Sequence, residues 1–503
     1  MHIERELKFR LPRDAASRLW SILPGAPAAT RRRLDSTYFD TPDFRLREAR
    51  SALRLRRDGR KRIMCFKSES PGAGGVPQRL EWEAPALRGR FSPEVLPCNE
   101  IKAACGVDLR RLATKMGPVF ATRFVRCSAE VVLEDGTRAE VCHDVGTIAA
   151  GRVSVPLLEL ELELIEGSAA SMLALAMSLV EPLGLALEAR SKAEQGYGLI
   201  EPRAAAPLKA QRPRLRRGMN AQEAMLAILD GCRAQVQGNM HGTMHARNLE
   251  FLHQLRVGLR RLRSALRTFA PLVPASSVRP VTRELKAVAA SLGGARDWDV
   301  FYVMLSQHIA LAAGRSPEMV RLLRKARVRR SAARAQARAA LASAAFQRLL
   351  LHLMRWTEDA SWRDSEEVRR AAALPVRKFG ERALARLERD ALRHAQRIDW
   401  ADPVVRHKLR ILVKRLRYAC GFFSDTLPSR GARRYLERLE MVQDVLGELN
   451  DIAVAGRLLE GLGNTANRQA VASIQKWLAV RQGILVERLG VVWGSWKKQA
   501  RFS

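Results

Sequence analysis

Long apolar runs are missing from this 503-residue chain. None approaches the ~20 consecutive residues needed to cross a bilayer. The N-terminus passes straight into charged residues, without the apolar core of a secretory signal, so a cytoplasmic protein is expected. Cysteine is scarce and scattered. The seven cysteines (65, 98, 105, 127, 142, 232 and 420) form no Cys-x-x-Cys pair, which argues against zinc ribbons and disulfide frameworks and for reduced thiols. Acidic residues run short in the second half only. Residues 1–201 hold 31 Lys+Arg against 27 Asp+Glu, whereas residues 202–503 hold 56 against 25. The second half therefore wants a polyanion, and the nearly balanced first half suits a site that uses both signs.

The length implies two or three domains, and a hydrophobic fraction of 47% supports folded ones. Residues 1–165 read mostly as strands in which charge recurs at every second position. Glu4, Glu6 and Lys8 share one face of the first. Arg54 and Arg56 share another, and Lys67 ends the run Arg62-Ile63-Met64-Cys65-Phe66. Arg79, Glu81 and Glu83 alternate with Leu80 and Trp82. Arg126 shares a parity with Glu130, and Arg138, Glu140 and Asp144 follow a hairpin turn at Glu134-Asp135-Gly136. Leu158 to Leu164 alternates strictly, with Glu159, Glu161 and Glu163 on one side. Each apolar face needs a cover, and residues 13–23 and 168–183 have helical spacing. Antiparallel strands with apolar side chains outward and mixed charge inward close most naturally into a barrel with a polar lumen. The other reading of these strands is a half-exposed sheet whose charged face meets water.

These residues resemble the CYTH domain of the triphosphate tunnel metalloenzyme superfamily. The resemblance rests on Glu4-x-Glu6-x-Lys8, then Tyr38-Phe39-Asp40-Thr41-Pro42 with Leu46-Arg47 and Leu53-Arg54-Leu55-Arg56. The Glu159/Glu161/Glu163 strand, Ser191-Lys192-Ala193 and Gly196-Tyr197 complete it. It implies an eight-stranded antiparallel tunnel that binds a linear triphosphate with Mg²⁺ or Mn²⁺. Carried over by position, Glu4, Glu6, Asp144, Glu159 and Glu161 would bind metal. Lys8, Arg54, Arg56, Lys67, Arg126 and Lys192 would hold phosphate oxygens, with Glu4, Glu6 and Lys8 as the catalytic triplet. Glu163 shares the face without an assigned role, and Glu81 and Glu83 either orient water or pair internally with Arg79. Arg31-Arg32-Arg33 is a solvated run from which one side chain could enter the tunnel.

Residues 202–217, rich in Pro, Ala and Arg, read as a linker. Beyond them, Ala/Leu/Arg segments of helical period continue to the end, including an Arg/Ala-rich helix around 315–350. This half repeats itself. His253-Gln-Leu-Arg256 through Arg263 matches His407-Lys-Leu-Arg410 through Arg417, and Leu292-Gly293 through Asp297 matches Leu446-Gly447 through Asp451, both at an offset of 154. Two blocks at one offset indicate an internal duplication, about 218–371 and 372–503, and hence two helical bundles. On the helix surface His253, Arg256, Arg260, Arg263 and Arg267 form a basic stripe beside a leucine face. His407, Arg410, Lys414 and Arg417 repeat it. A basic stripe along an apolar seam belongs in a groove between helices, where Asp297 and Asp451 would orient the cations or cap a helix.

The repeated helices resemble the CHAD domain, which implies binding of long-chain inorganic polyphosphate by 218–503. The expected whole is a multidomain α+β protein: a tunnel over 1–201, the linker, and an all-α domain of two duplicated bundles. Its expected activity is metal-dependent hydrolysis of inorganic triphosphate beside a polyphosphate-binding module, with no membrane partner and a location in the cytoplasm, at polyphosphate granules where these exist. The alternatives are thiamine triphosphatase or adenylate cyclase chemistry, or a nucleic-acid or polyphosphate binder with a silent tunnel. The basic stripes contain no aromatic residue for base stacking, which favours the bare phosphate polymer over nucleic acid.

Overall fold

The computed structural model describes residues 2–25, 27–69, 75–200, 206–216, 218–311, 316–359, 366–396, 400, 402–426 and 429–499. The chain divides into two compact units, one of residues 1–206 with 342–360 and one of 207–341 with 361–503.

The first unit is a closed antiparallel barrel. Its strands are β1 (His2–Arg10), β2 (Thr30–Asp40), β3 (Ser51–Asp58), β4 (Lys61–Glu69), β5 (Gln78–Pro85), β6 (Gly117–Val132), β7 (Arg138–Ala150) and β8 (Val153–Glu166). They lie in the order β5-β4-β3-β2-β6-β7-β8-β1, and β1 pairs back onto β5. The two-residue β9 (Ala186–Leu187) adds to the edge of β1 near Phe9. Period-two sequences produce this directly, since each strand turns apolar side chains to one face and charged ones to the other. The β6–β7 hairpin turns at Gly136, whose φ of 81° is open to glycine at little cost.

Apolar residues face outward beneath short helices. Leu53, Met64, Phe66 and Trp82 are buried against Leu96 and against Ile101 and Leu109 from helices Cys98–Cys105 and Leu109–Ala113. Helix Ala169–Leu183 covers another part of the wall and is itself covered by helix Ala344–Glu358. Inside, one end of the lumen is filled by a layer containing Leu34, Tyr38, Phe120, Phe124, Ile148 and Leu157. Helix Lys192–Ile200 closes onto this layer through Tyr197. Gly196 permits that closure, because a Cβ there would lie 2.3 Å from the Phe120 ring.

The second unit is all helical. The 154-residue offset seen in the sequence carries helix Ala221–His245 onto Val376–Ala395 and Glu250–Thr268 onto Pro403–Phe422. It likewise carries Pro317–Ala342 onto Arg468–Lys497. Where the first copy has two helices, Ala275–Ser291 and Gly293–Leu311, the second has the single helix Ser429–Glu460. Gly293-Gly294 stands at the break, against Gly447-Glu448 in the unbroken copy, and each extra glycine weakens a helix by about 1 kcal/mol. Phe269 and Phe423, equivalent under the offset, meet at 5.8 Å between ring centroids.

Two expectations change in detail. The Arg/Ala-rich helix around 315–350 is two helices, separated where the Ser343 hydroxyl caps the second. Of the linker, residues 201–205 and 217 lie outside the described residues. Residues 206–216 have neither helix nor strand, yet Leu208 exchanges hydrogen bonds with the Asn239 side chain and Leu215 is buried. Among the described residues, no helix is long and apolar enough to cross a membrane.

Candidate active site and basic groove

The polar part of the lumen is a cavity of about 560 Å³. Of the expected residues, Glu4, Glu6, Lys8, Arg54, Arg56, Lys67, Arg126, Glu161 and Lys192 line it. Asp144 and Glu159 lie in the wall behind them, 0% and 1% exposed. They reach the cavity through their partners.

The charges pair across strands. Lys67 holds both oxygens of Glu4 at 2.7 and 2.6 Å and also contacts Glu81 at 3.1 Å. Glu6 accepts from Lys8 at 2.8 Å and from Arg79 at 3.2 Å. Lys8 also donates to Glu161 at 2.6 Å. Arg126 grips Asp144 with two hydrogen bonds of 2.7 Å and also binds Glu161. Lys192, at the start of the closing helix, contacts Glu159, Glu161 and Asp144. The five expected metal carboxylates thus stand as a trio on β7 and β8 and a pair on β1, joined by Lys8. The trio's ligand oxygens lie within 4.8 Å of one another. An all-oxygen donor set that close fits a hard divalent cation.

Burial resists charge throughout, and the neighbours decide the outcome. Glu161 is held well below the ordinary carboxyl range because Lys192, Lys8 and Arg126 outweigh its burial. Glu159 is pushed up, by burial and by Glu161, against the pull of Lys192. Glu81 is held at about 2, since Lys67 and Arg54 overcome burial. The Cys65 thiol is pushed up to about 12 by burial, and it donates to Glu81 at 3.1 Å. Glu83 pairs with Arg56 at 2.8 Å.

In the helical unit the two basic stripes meet, because helices Glu250–Thr268 and Pro403–Phe422 pack together. Arg256 is pushed down to about 10 by burial and by Arg260. Lys414 is pushed down to about 7 by burial, Arg410 and Arg260. Burial raises Asp297, and Asp451 adds to this, against the pull of Arg256 and Arg410 from the two stripes; it lies inside helix Gly293–Leu311. His253 is pushed down to about 4 by burial and Arg296. Arg267 is exposed, and it and Arg263 face Arg415. Arg417 is already engaged by Glu440 at 2.9 Å and Gln443 at 2.6 Å, and His407 lies 3.2 Å from Asn450 Oδ1. The Nε atoms of Arg256, Arg260, Arg263, Arg410 and Arg415 are buried with no hydrogen-bond partner.

Residues 2–197 match the CYTH domain and residues 227–460 the CHAD domain. The chain is an N-terminal CYTH domain followed by a C-terminal CHAD domain, as in triphosphate-tunnel metalloenzymes. An inorganic triphosphatase of Haemophilus influenzae is 26% identical over 174 residues, which are 33% of this chain and 45% of that protein, so the match spans less than half of the relative. The crystal structure of the CHAD domain from the plant Ricinus communis is 30% identical with a TM-score of 0.49, covering 57% of this chain and 96% of that one. The Hippeastrum protein HpAC1, named for adenylyl cyclase and described as having a dominant triphosphatase activity, is 20% identical with a TM-score of 0.30, covering 39% and 97%.

The cavity also takes charged residues without an expected ligand role. Arg79 was visible by its parity with Glu81 and Glu83. Arg32, one of three consecutive arginines, enters the cavity because it shares the face of Leu34 and Tyr38. Arg47 and Glu194 come from helices Arg45–Glu48 and Lys192–Ile200 and Arg190 from a loop, where no strand period marks them. Asp40 is structural. Only 1% exposed, it accepts from the Thr41, Leu46 and Arg47 amides at 2.7, 2.9 and 3.1 Å and from the Tyr197 hydroxyl at 2.7 Å, tying the closing helix to β2.

Proposed function

We propose that the CYTH domain hydrolyses inorganic triphosphate with Mg²⁺ or Mn²⁺, and that the CHAD domain binds long-chain inorganic polyphosphate. The observation that carries the first part is the mixture of buried and half-buried acids and bases turned into one cavity of the barrel. A linear triphosphate needs positive charge along its length, and a dry, pre-formed set of cations supplies it more strongly than water does.

In this reading Asp144, Glu159 and Glu161, with Glu4 and Glu6 alongside, hold the divalent cation. When bound, the cation neutralises phosphate oxygens and orients the chain for in-line attack. Lys8, Arg54, Arg56, Lys67, Arg126 and Lys192 hold phosphate oxygens, which positions the terminal phosphorus. The buried Arg54 and Arg56 Nε atoms have no protein partner, as phosphate-binding groups should. A carboxylate on the wall holds the attacking water. The 26% identity to an inorganic triphosphatase supports a bare triphosphate over thiamine triphosphate or a cyclase substrate. A kinetic panel of tripolyphosphate, ATP and thiamine triphosphate tests this, and preference for ATP with a cyclic product would overturn it.

The second part is carried by the unpartnered guanidinium nitrogens where the two basic helices meet, a seam we read as the groove for the polymer. A buried donor without an acceptor costs about 1–3 kcal/mol, and an anion along the groove satisfies several at once. Competition between polyphosphate and single- or double-stranded DNA at equal phosphate and matched salt separates the polymer from nucleic acid. Tighter binding to DNA would reverse the choice.

A further inference from the structure

The barrel closes at its shortest seam. Strands β1 and β5 share four residue pairs, from His2↔Glu81 to Arg5↔Gln78. Every other seam of the barrel shares five or more. Yet this seam presents Glu4, Glu6 and Arg79 to the lumen. Short seams fray easily, so an outside support is needed where a charged face must hold its aim.

That support comes from far along the chain. Glu358 ends helix Ala344–Glu358, which belongs to the barrel unit. One of its oxygens, Oε1, accepts from Arg5 Nη2 at 2.7 Å and from the Val76 amide at 3.0 Å. Arg5 lies on β1, between Glu4 and Glu6 on the opposite face. Val76 leads into β5, and the Glu6 amide donates to the neighbouring Pro77 carbonyl at 3.3 Å. Gly75 is cut to receive the carboxylate. Its φ is 79°, and a Cβ there would lie 1.9 Å from Glu358 Oε1. At the other end of the same helix, Gln347 Oε1 accepts from the Leu187 amide at 2.9 Å, and Leu187 pairs with Phe9 of β1. The helix therefore reaches β1 at both ends.

We propose that Glu358 is a positioning residue for the tunnel chemistry: it staples β1 to the start of β5 and so fixes the direction in which Glu4 and Glu6 project. Alternation along a strand makes this mechanical, since a rotation of Arg5 turns both its neighbours. The catalytic unit is then built from residues 2–200 together with 344–358. This inference rests on the triphosphatase reading above.

The test uses the full chain and its E358Q, R5M and G75A variants. E358Q keeps an acceptor for Val76 but loses the negative charge that pairs with Arg5, R5M breaks the same link from the other side, and G75A fills the space of the carboxylate. For each we measure tripolyphosphate turnover against Mg²⁺ and Mn²⁺ concentration, calorimetric binding of long-chain polyphosphate, and melting temperature. The expected result is a rise of about tenfold in the metal concentration giving half-maximal rate, the scale on which partners behind a ligating group act. Polyphosphate binding stays unchanged and G75A has the largest effect. Wild-type metal curves in all three variants overturn the positioning role alone. Equal falls in melting temperature and rate, with an unchanged metal requirement, overturn it too, since they mean simple destabilisation. A wild-type chain without divalent-dependent turnover overturns the triphosphatase reading and the inference with it.

Discussion

Lys67 Nζ lies 2.6 and 2.7 Å from the two carboxylate oxygens of Glu4, reaching from β4 to β1 past the intervening β5. Ion pairs of this kind neutralise the lumen internally. A triphosphate can take the Lys67 donors only if a cation takes Glu4, because a buried charge left alone costs several kcal/mol. Metal and triphosphate should therefore bind with strong mutual dependence, and by linkage the coupling is the same in both directions. Calorimetry should find tripolyphosphate at least about tenfold weaker in chelator than in Mg²⁺. Equal affinities would contradict the exchange of partners.

The groove in the helical unit should trade stability for binding. Arg256 is charged among like charges and held down to about 10 by burial and Arg260. Replacing it by Met removes a buried charge that Asp297 offsets only in part and keeps the apolar stem. R256M should raise the melting temperature of the ligand-free protein by a few degrees while weakening polyphosphate binding about tenfold. Thermal melts with and without polyphosphate check both signs.

Polyphosphate binding should weaken as pH rises above neutrality. The Lys414 amine, pushed down to about 7 by burial, Arg410 and Arg260, with Asp451 pulling the other way, is half neutral at pH 7 in the free groove. A bound polyanion returns the proton. Affinity should fall by up to about tenfold per pH unit above 7, the limit for one linked proton. The sign for folding is opposite. The unfolded lysine holds its proton up to the ordinary lysine range, so between about 7 and that range the unfolded chain binds more protons and stability rises with pH. K414R should keep its charge and flatten both dependences, which calorimetry and melts across pH 6–9 would read.

A fragment of residues 1–201 should fold poorly. It lacks helix Ala344–Glu358, in which Phe346, Leu349, Leu350, Leu353 and Met354 are buried. Each buried side chain of that size contributes about 1.5–3 kcal/mol, so their loss costs on the order of 10 kcal/mol, comparable to the stability of a whole domain. We expect aggregation or a molten fragment by circular dichroism and gel filtration. A monomeric, cooperatively melting fragment with full turnover would show the helix to be dispensable.

What the sequence shows and hides follows from its periods. Glu4, Glu6, Lys8, Arg54, Arg56 and Lys67 were legible because a strand repeats every two residues and each lies on its predicted inward parity. The two stripes that bring Arg260 near Arg410 were legible as a pattern repeated at one offset. Glu358 was not. Its role depends on a contact between residues 353 positions apart, and no local pattern encodes such a partner. Asp40 stood inside a recognisable block, yet its part as an acceptor for the closing helix depends on Tyr197, 157 residues on. Arg417 fits the basic stripe by angle, but Glu440 from another helix takes it. Period fixes the face a residue shows, and only packing decides what stands opposite.

The most direct test is phosphate release from tripolyphosphate by the full chain and by its Glu4→Gln/Glu6→Gln double variant, each titrated with Mg²⁺ and Mn²⁺, with long-chain polyphosphate binding measured in parallel. The wild type should release phosphate only with a divalent cation, the variant should lose at least about a thousandfold in rate, and both should bind polyphosphate alike. Turnover that survives the double change, or that needs no divalent cation, would contradict it.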